Sequence, residues 1–266
     1  MVTLFGGTGY LGSWYRQQHG AVLQPRDDLR PQGPKVLYMI STTHNHHLPA
    51  NPYIDVDVNI MHLIRVLEQA RSVANIEFNF VSSWFVYGAV GQAVDERAPC
   101  DPQGFYSITK RTAEQLLMEY CRVHDIPWRI LRLCNVIGAK DPGASTKKNI
   151  LHTMSQRLRH HEPITLVNRG DFLRDYLHVS DACDAIDTVI TRGEINKIYN
   201  IGSGHSIRFH QAIDYVRERT QSRSETVLET RFDVVDCILD CDRLSRLGWR
   251  PQLTWRQAID SMLTEI

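Results

Sequence analysis

The stretch "VTLFGGTGYLGSWYRQQ", residues 2–18, decides the fold. A short apolar run goes straight into glycines, and the pattern beyond them is helical until Gly20. Gly6, Gly9 and Gly12 stand three apart between the predicted strand and the predicted helix. Such a loop turns tightly and lets its backbone approach a pyrophosphate. The helix behind it offers free N–H groups and a positive dipole end to an anion. Three glycines alone also occur in plain tight turns, so their place after the first strand is what gives them meaning.

Outward from this loop, strand-like and helix-like segments alternate. "AVL" (21–23) is a second short strand, and "KVLYMIS" (35–41) is a third whose unbroken apolarity implies burial on both faces. Residues 51–72 carry Val58, Met61, Leu63, Ile64, Leu67 and Ala70 at helical spacing. "IEFNFVSS" (76–83) is a strand, a helix follows from about 105, and "WRILRLCNVIG" (128–138) is read as one strand. This alternation predicts an α/β protein with a doubly wound parallel sheet. From about residue 138 it weakens, although "KIYNIG" (197–202) is expected to rejoin the sheet.

Bulk properties set limits. The 266 residues are 42% hydrophobic and 23% charged, enough for one large packed domain with a smaller appendage. Lys+Arg and Asp+Glu both number 30, which points away from nucleic acid and membrane as partners. No apolar run approaches a membrane span, and the chain opens on a strand, so neither a signal peptide nor a transmembrane helix is expected. Six scattered cysteines without a Cys-x-x-Cys pair suit reduced core residues of a cytoplasmic protein. His44, His46 and His47 form a polar cluster without partnering cysteines, so no metal site is expected.

A second motif is "GFYSITKRTAEQLL", residues 104–117, with Tyr106 four residues before Lys110. Positions i and i+4 share a helix face, so the ammonium could lower the phenol pKa toward neutrality. The pair gains weight from its companions: the glycine loop, "FVSSWFVYG", "RLCNVIG", "FLRDYLHVSD", "YNIGSG" and "LGWRPQLTWRQAI", in that order along most of the chain. Together these segments resemble the extended short-chain dehydrogenase/reductase superfamily, in particular its NAD(P)-dependent sugar-nucleotide epimerases and dehydratases.

The resemblance implies a Rossmann-like domain over 1–137, rejoined by about 175–203, and a small α+β substrate-binding region from 138–174 and 204–266. It implies Ser83, Tyr106 and Lys110 as the catalytic set. Gly6, Gly9, Tyr10, Leu11, Gly12, Arg26, Asn59, Tyr106 and Lys110 would bind the cofactor. Ser83, Asn135, Arg174 and Arg231 would bind a nucleotide-sugar substrate. A homodimer paired through the helices at about 58–71 and 105–121 is implied as well. Tyr106 would move a proton at a sugar hydroxyl while C4 exchanges hydride with the nicotinamide. The family's dehydratases carry an Asp-Glu pair directly after the serine. Here Trp84 and Phe85 stand there, and neither transfers a proton.

Two features depart from the pattern. "QPRDD" places Arg26 beside Asp27 and Asp28, leaving NAD and NADP both open. The span between the second and third strands is too short for a full crossover with a helix, so the sheet is expected to be shortened at the strand 2/3 edge. Either a strand is deleted or residues 21–28 replace it. The expected activity is an NAD(P)-dependent epimerase working through a 4-keto sugar; the alternatives are an NADPH-dependent 4-ketoreductase and, third, a non-catalytic dinucleotide sensor.

Overall fold

The computed structural model describes residues 1–42, 51–139, 150–231 and 234–264. Its main layer is a six-stranded parallel sheet in the order β2-β1-β3-β4-β5-β9. The strands are β1 (Val2–Phe5), β2 (Val22–Leu23), β3 (Lys35–Tyr38), β4 (Glu77–Ser83), β5 (Trp128–Leu133) and β9 (Lys197–Ile201). Side chains alternate across the sheet. Leu4, Leu37 and Leu131 face α1 (Tyr10–His19) and α6 (Val179–Arg192), while Phe5, Val36, Tyr38, Phe80 and Ile130 face α3 (His62–Ala70) and α4 (Phe105–Val123). Both faces are covered, which explains why the strands read as continuous apolar runs.

The order is that of the doubly wound fold with its outermost strand removed. β2 flanks β1 on one side and β3 flanks it on the other, so β2 is the sheet edge. Of the two possibilities left open by the sequence, deletion is what the structure shows. Residues 24–34 return to the start of β3 without a helix, with Leu29 packed on the α3 face and Pro34 O accepting the Glu77 N–H at 2.6 Å.

One sequence expectation needs correcting. Residues 128–138 are not one strand. After β5 the Cys134 N–H still bonds Ile201 O at 2.8 Å, but β6 (Asn135–Ile137) leaves the main sheet and pairs with β8 (Leu173–His178). β10 (Ser206–Arg208) pairs antiparallel to β8 and completes a three-stranded sheet. Periodicity cannot reveal which sheet a strand joins. β7 (Ile164–Val167) and β11 (Thr226–Glu229) form a further parallel pair. Around these small sheets α5 (Ile150–Arg159), α7 (Phe209–Thr220) and α9 (Trp255–Leu263) close a second core through Leu158, Phe209, Ile213 and Ile259. Buried Asp175 on β8 accepts the Ser203 and Gly204 N–H groups just after β9, which ties the two sheets together.

Helix α4 follows Gly104, whose φ of +86° suits glycine, and contains no glycine or proline. Its inward stripe includes Ala113, Leu117 and Cys121, but also two charged residues, Lys110 and Glu114, exposed by only 2% and 0%. Glu114 forms a two-pronged ion pair with Arg132 of β5, Nε to Oε1 at 3.0 Å and Nη2 to Oε2 at 2.8 Å. Burial alone would raise the Glu114 carboxyl, but the Arg132 hydrogen bonds and charge overcome it and hold the group below its ordinary range. Glu114→Ala should strand the Arg132 charge in the core and cost about 3–5 kcal/mol, measured as a lower urea midpoint.

Candidate active site

Several of the side chains singled out by the sequence gather at the carboxyl ends of β3 and β4, under the first turn of α4. Ser83 is the last residue of β4 and accepts the Phe85 N–H at 3.3 Å, which starts a single 3₁₀ turn over Trp84–Tyr87. Tyr106 enters from α4, and Ser83 and Ser41 lie close enough for their side chains to act on its phenol. Burial pushes the phenol above its ordinary pKa. Ser41 and Ser83 act the other way where they donate to a phenolate, and the Asp55 carboxylate adds a further upward push.

Lys110 departs from the expectation of a lysine that acidifies Tyr106. Its ammonium donates to Val81 O at 2.7 Å and lies 4.2 Å above the Phe80 ring. Burial lowers its own pKa to about 7. One turn along α4 from Tyr106, the side chain is buried between α4 and β4, where that carbonyl is within reach.

Asn59 lies in a π-helical turn, Asp57–Met61, between the short helix α2 (Tyr53–Val56) and α3. Its Oδ1 accepts the Thr42 N–H at 2.9 Å and the Ser41 hydroxyl at 3.1 Å. Its Nδ2 donates to Thr42 Oγ1 at 2.8 Å and Thr109 Oγ1 at 3.0 Å. Ser41, Thr42, Thr109 and Asp55 were missed by sequence reasoning. Ser41 had a signal, being a hydroxyl at the carboxyl end of a buried parallel strand. Asp55 had one too, a charge one turn before Asn59 on the same helix face.

An aromatic wall leads away from Tyr106. The Phe85 ring meets it edge-on at 6.2 Å, Trp84 stacks on Phe85 at 4.1 Å, and the Arg174 guanidinium lies 5.3 Å from Trp84 and 4.4 Å from Phe172. Arg174 also donates to Val235 O at 2.6 Å. Asn135, opening β6, donates to Asp175 O at 3.1 Å. Arg231 is exposed after β11, where its backbone exchanges two hydrogen bonds with Asn168. Among the described residues no three His, Cys, Asp or Glu side chains converge in a metal-binding arrangement, and His44, His46 and His47 lie outside those residues. All six cysteines are free thiols, and no described helix is long and apolar enough to cross a membrane.

Comparison with known families matches residues 29–202 to the NAD dependent epimerase/dehydratase family. The chain belongs to that family. Among its relatives, a putative UDP-glucose 4-epimerase of Methanocaldococcus jannaschii is 28% identical over 79% of this chain and 69% of its own length. The dTDP-D-glucose 4,6-dehydratase of Mus musculus is 30% identical over 73% of this chain and 57% of its own. Two solved structures illustrate the shared fold. UDP-glucose 4-epimerase from Thermotoga maritima with UDP-glucose superposes at TM-score 0.87 and 19% identity, covering 99% of this chain and 97% of that one. RMD from Pseudomonas aeruginosa complexed with NADPH superposes at 0.86 and 21%, with the same coverages.

The protein is thus an enzyme of the NAD(P)-dependent epimerase/dehydratase family, and its glycine loop fits the dinucleotide. Gly6 adopts φ +86°, and a Cβ on Gly12 would stand 2.3 Å from Gly6 O, so conformation and packing require glycine at both. Gly9 differs. Its φ is −75°, and a Cβ would meet only Gly6 O, at an ordinary 3.4 Å. Nothing among the described residues demands glycine there. The space lies before the first turn of α1, where a pyrophosphate needs room. Tyr10 and Leu11 form that first turn and pack on the sheet's core. At the end of β2, Gln24 is buried with Oε1 unpartnered among the described residues, and exposed Arg26 follows two residues on.

Two outcomes follow. Gly9→Val should leave urea stability within about 0.5 kcal/mol but weaken NAD(P)H binding at least about tenfold, whereas Gly12→Ala should destabilise the fold itself. For Lys110, the unfolded side chain holds its proton up to about 10.5 while the folded one loses it near 7. Stability should therefore rise between those values, by about 1.4 kcal/mol per pH unit at most, and Lys110→Met should flatten that slope in urea titrations.

Proposed function

We propose that this enzyme is a sugar-nucleotide epimerase that acts at the sugar C4 through a 4-keto intermediate. The observation that carries this reading is the nearness of Ser83 and Tyr106 at the carboxyl end of β4, both of them against Phe85, combined with Trp84 and Phe85 where an elimination would need an acid and a base. Chemistry is thereby confined to one carbinol.

Tyr106 removes the C4 hydroxyl proton and later gives it back. Ser83 donates a hydrogen bond to the same oxygen and stabilises the charge that develops there. A dinucleotide held at the glycine loop of Gly6, Gly9 and Gly12 would supply reversible hydride exchange at C4. Asn59 and Lys110 are assigned to the cofactor by resemblance. Arg174 is assigned to the nucleotide diphosphate with Asn135 and Arg231. Its place at the far end of the aromatic wall from Tyr106 supports this, since a nucleotide sugar carries its diphosphate away from the reacting carbon. Residues 138–174 and 204–266 form the substrate region in this reading. A homodimer would pair the exposed apolar side chains Met61, Ile108, Leu116 and Val123 of the π-helical turn and α4.

A second reading, an NADPH-dependent 4-ketoreductase, draws on a specific observation. The residue closing β2 is neutral Gln24 rather than an acid, and Arg26 is close by, an arrangement that tolerates a 2′-phosphate. RMD, a protein of like fold, was solved with NADPH.

Incubating the purified protein with UDP- and dTDP-linked hexoses separates the readings. Epimer formed without added NADPH supports the first, and one-for-one loss of NADPH with a 4-keto sugar supports the second. Tyr106→Phe should lower either turnover by about 10²-fold or more while sparing nucleotide-sugar binding. Full turnover by that variant would remove Tyr106 from the chemistry.

A further inference from the structure

Phe85 stands beside both residues assigned to the C4 oxygen. Its backbone N–H bonds Ser83 Oγ at 3.3 Å, and its ring meets the Tyr106 ring edge-on at 6.2 Å. The Trp84 ring stacks on it at 4.1 Å with 24° between the planes. Trp84 is only 2% exposed, whereas Phe85 is half-buried, so Phe85 is the member of the pair that presents surface. Polar groups close to the pair are engaged with the protein. The Tyr87 hydroxyl, from the same 3₁₀ turn, donates to Asn200 Oδ1 at 2.7 Å. Arg174, whose guanidinium lies 5.3 Å from Trp84, donates through Nη1 to Leu173 O at 2.8 Å and Val235 O at 2.6 Å.

A pyranose whose C4 oxygen is addressed by Ser83 and Tyr106 carries two groups next to that carbon, the C3 hydroxyl and the carbon arm on C5. A hydroxyl laid on a phenyl ring gives up a hydrogen bond to water and gains none in return. A hydrocarbon arm loses no hydrogen bond there and buries apolar area. The C5 arm is therefore the group that suits Phe85, and the same reasoning extends to its outer end. A methyl at C6 matches the ring, whereas a hydroxyl or carboxylate at C6 leaves a polar group desolvated against it. Resting on the reading of Ser83 and Tyr106 as the pair that acts at C4, we propose that Phe85, held by Trp84, is a specificity-determining residue that selects a 6-deoxy sugar, one whose C6 is a methyl group.

The test compares nucleotide sugars that differ only at C6, with methyl, hydroxymethyl or carboxylate there, or with C5 bare, each linked to UDP, dTDP and GDP. Calorimetry gives Kd for each sugar on the whole enzyme, so the readout does not depend on turnover. The 6-deoxy sugar should bind at least about tenfold more tightly than its 6-hydroxyl counterpart, with the same order in kcat/KM where turnover occurs. Phe85→Asn, which offers an amide to a 6-hydroxyl, should bring that ratio to within about threefold, and Phe85→Leu should keep the preference. A purely structural Phe85 would weaken both sugars alike and leave the ratio in place. A parent ratio near one, tighter binding of the hydroxymethyl, carboxylate or bare sugar, or an unchanged ratio in folded Phe85→Asn overturns the proposal and leaves the C4 chemistry standing. Full turnover by Tyr106→Phe strikes the C4 reading itself, and failure of every sugar in the set to bind overturns both.

Discussion

The active site depends on how helix α4 is held against the sheet. Two charges buried on its inner face do this. Lys110 reaches the Val81 carbonyl of β4, and Glu114 grips the Arg132 guanidinium of β5. Neither contact adds much net stability, because desolvating the charges offsets most of the attraction. Their value is geometric. An apolar seam would tolerate small slides of the helix, whereas a two-pronged ion pair allows one register. That register sets the Tyr106 ring edge-on to Phe85 and near Ser83 and Ser41. Arg132 also lies 4.6 Å from the Tyr87 ring, so the same cation supports the turn that carries Trp84 and Phe85.

Around Tyr106 the polar groups form a connected set rather than isolated pairs. Asn59 uses both of its amide ends, the Thr109 hydroxyl donates to the Tyr106 carbonyl at 3.0 Å, and Asp55 terminates the chain through Thr42. Buried polar networks hold one arrangement when nearly every member is satisfied. Here the exception among the described residues, Asp55 Oδ2, lies one turn before Asn59. The π-helical turn has the same character: a local departure from regular geometry at the point where Asn59 must face inward.

The shortened edge is the enzyme's main departure from the doubly wound plan. Removing the strand outside β2 leaves residues 24–34 as an extended strap across one face, anchored by Leu29 and Pro34. The sheet tolerates the loss because β2 is only two residues long and pairs with β1 alone. What changes is the side on which the adenosine half of a dinucleotide would lie, with Gln24 and Arg26 as the nearest polar groups of β2's end.

Much of this was legible in the sequence because local rules sufficed. Strand length, helical spacing and glycine position identified the parallel sheet, the loop at Gly6–Gly12 and the helix that carries Tyr106. Those features depend on neighbours a few residues apart. What tertiary structure alone decided was every relation between distant segments. Residues 135–137 joined β8 rather than extending β5, Lys110 turned to a carbonyl rather than to the phenol, and Ser41, just after β3, and Asp55, in α2, came near Tyr106. Such choices are settled by which partner a buried donor or acceptor can reach once the layers have packed, and no periodicity along the chain records that distance.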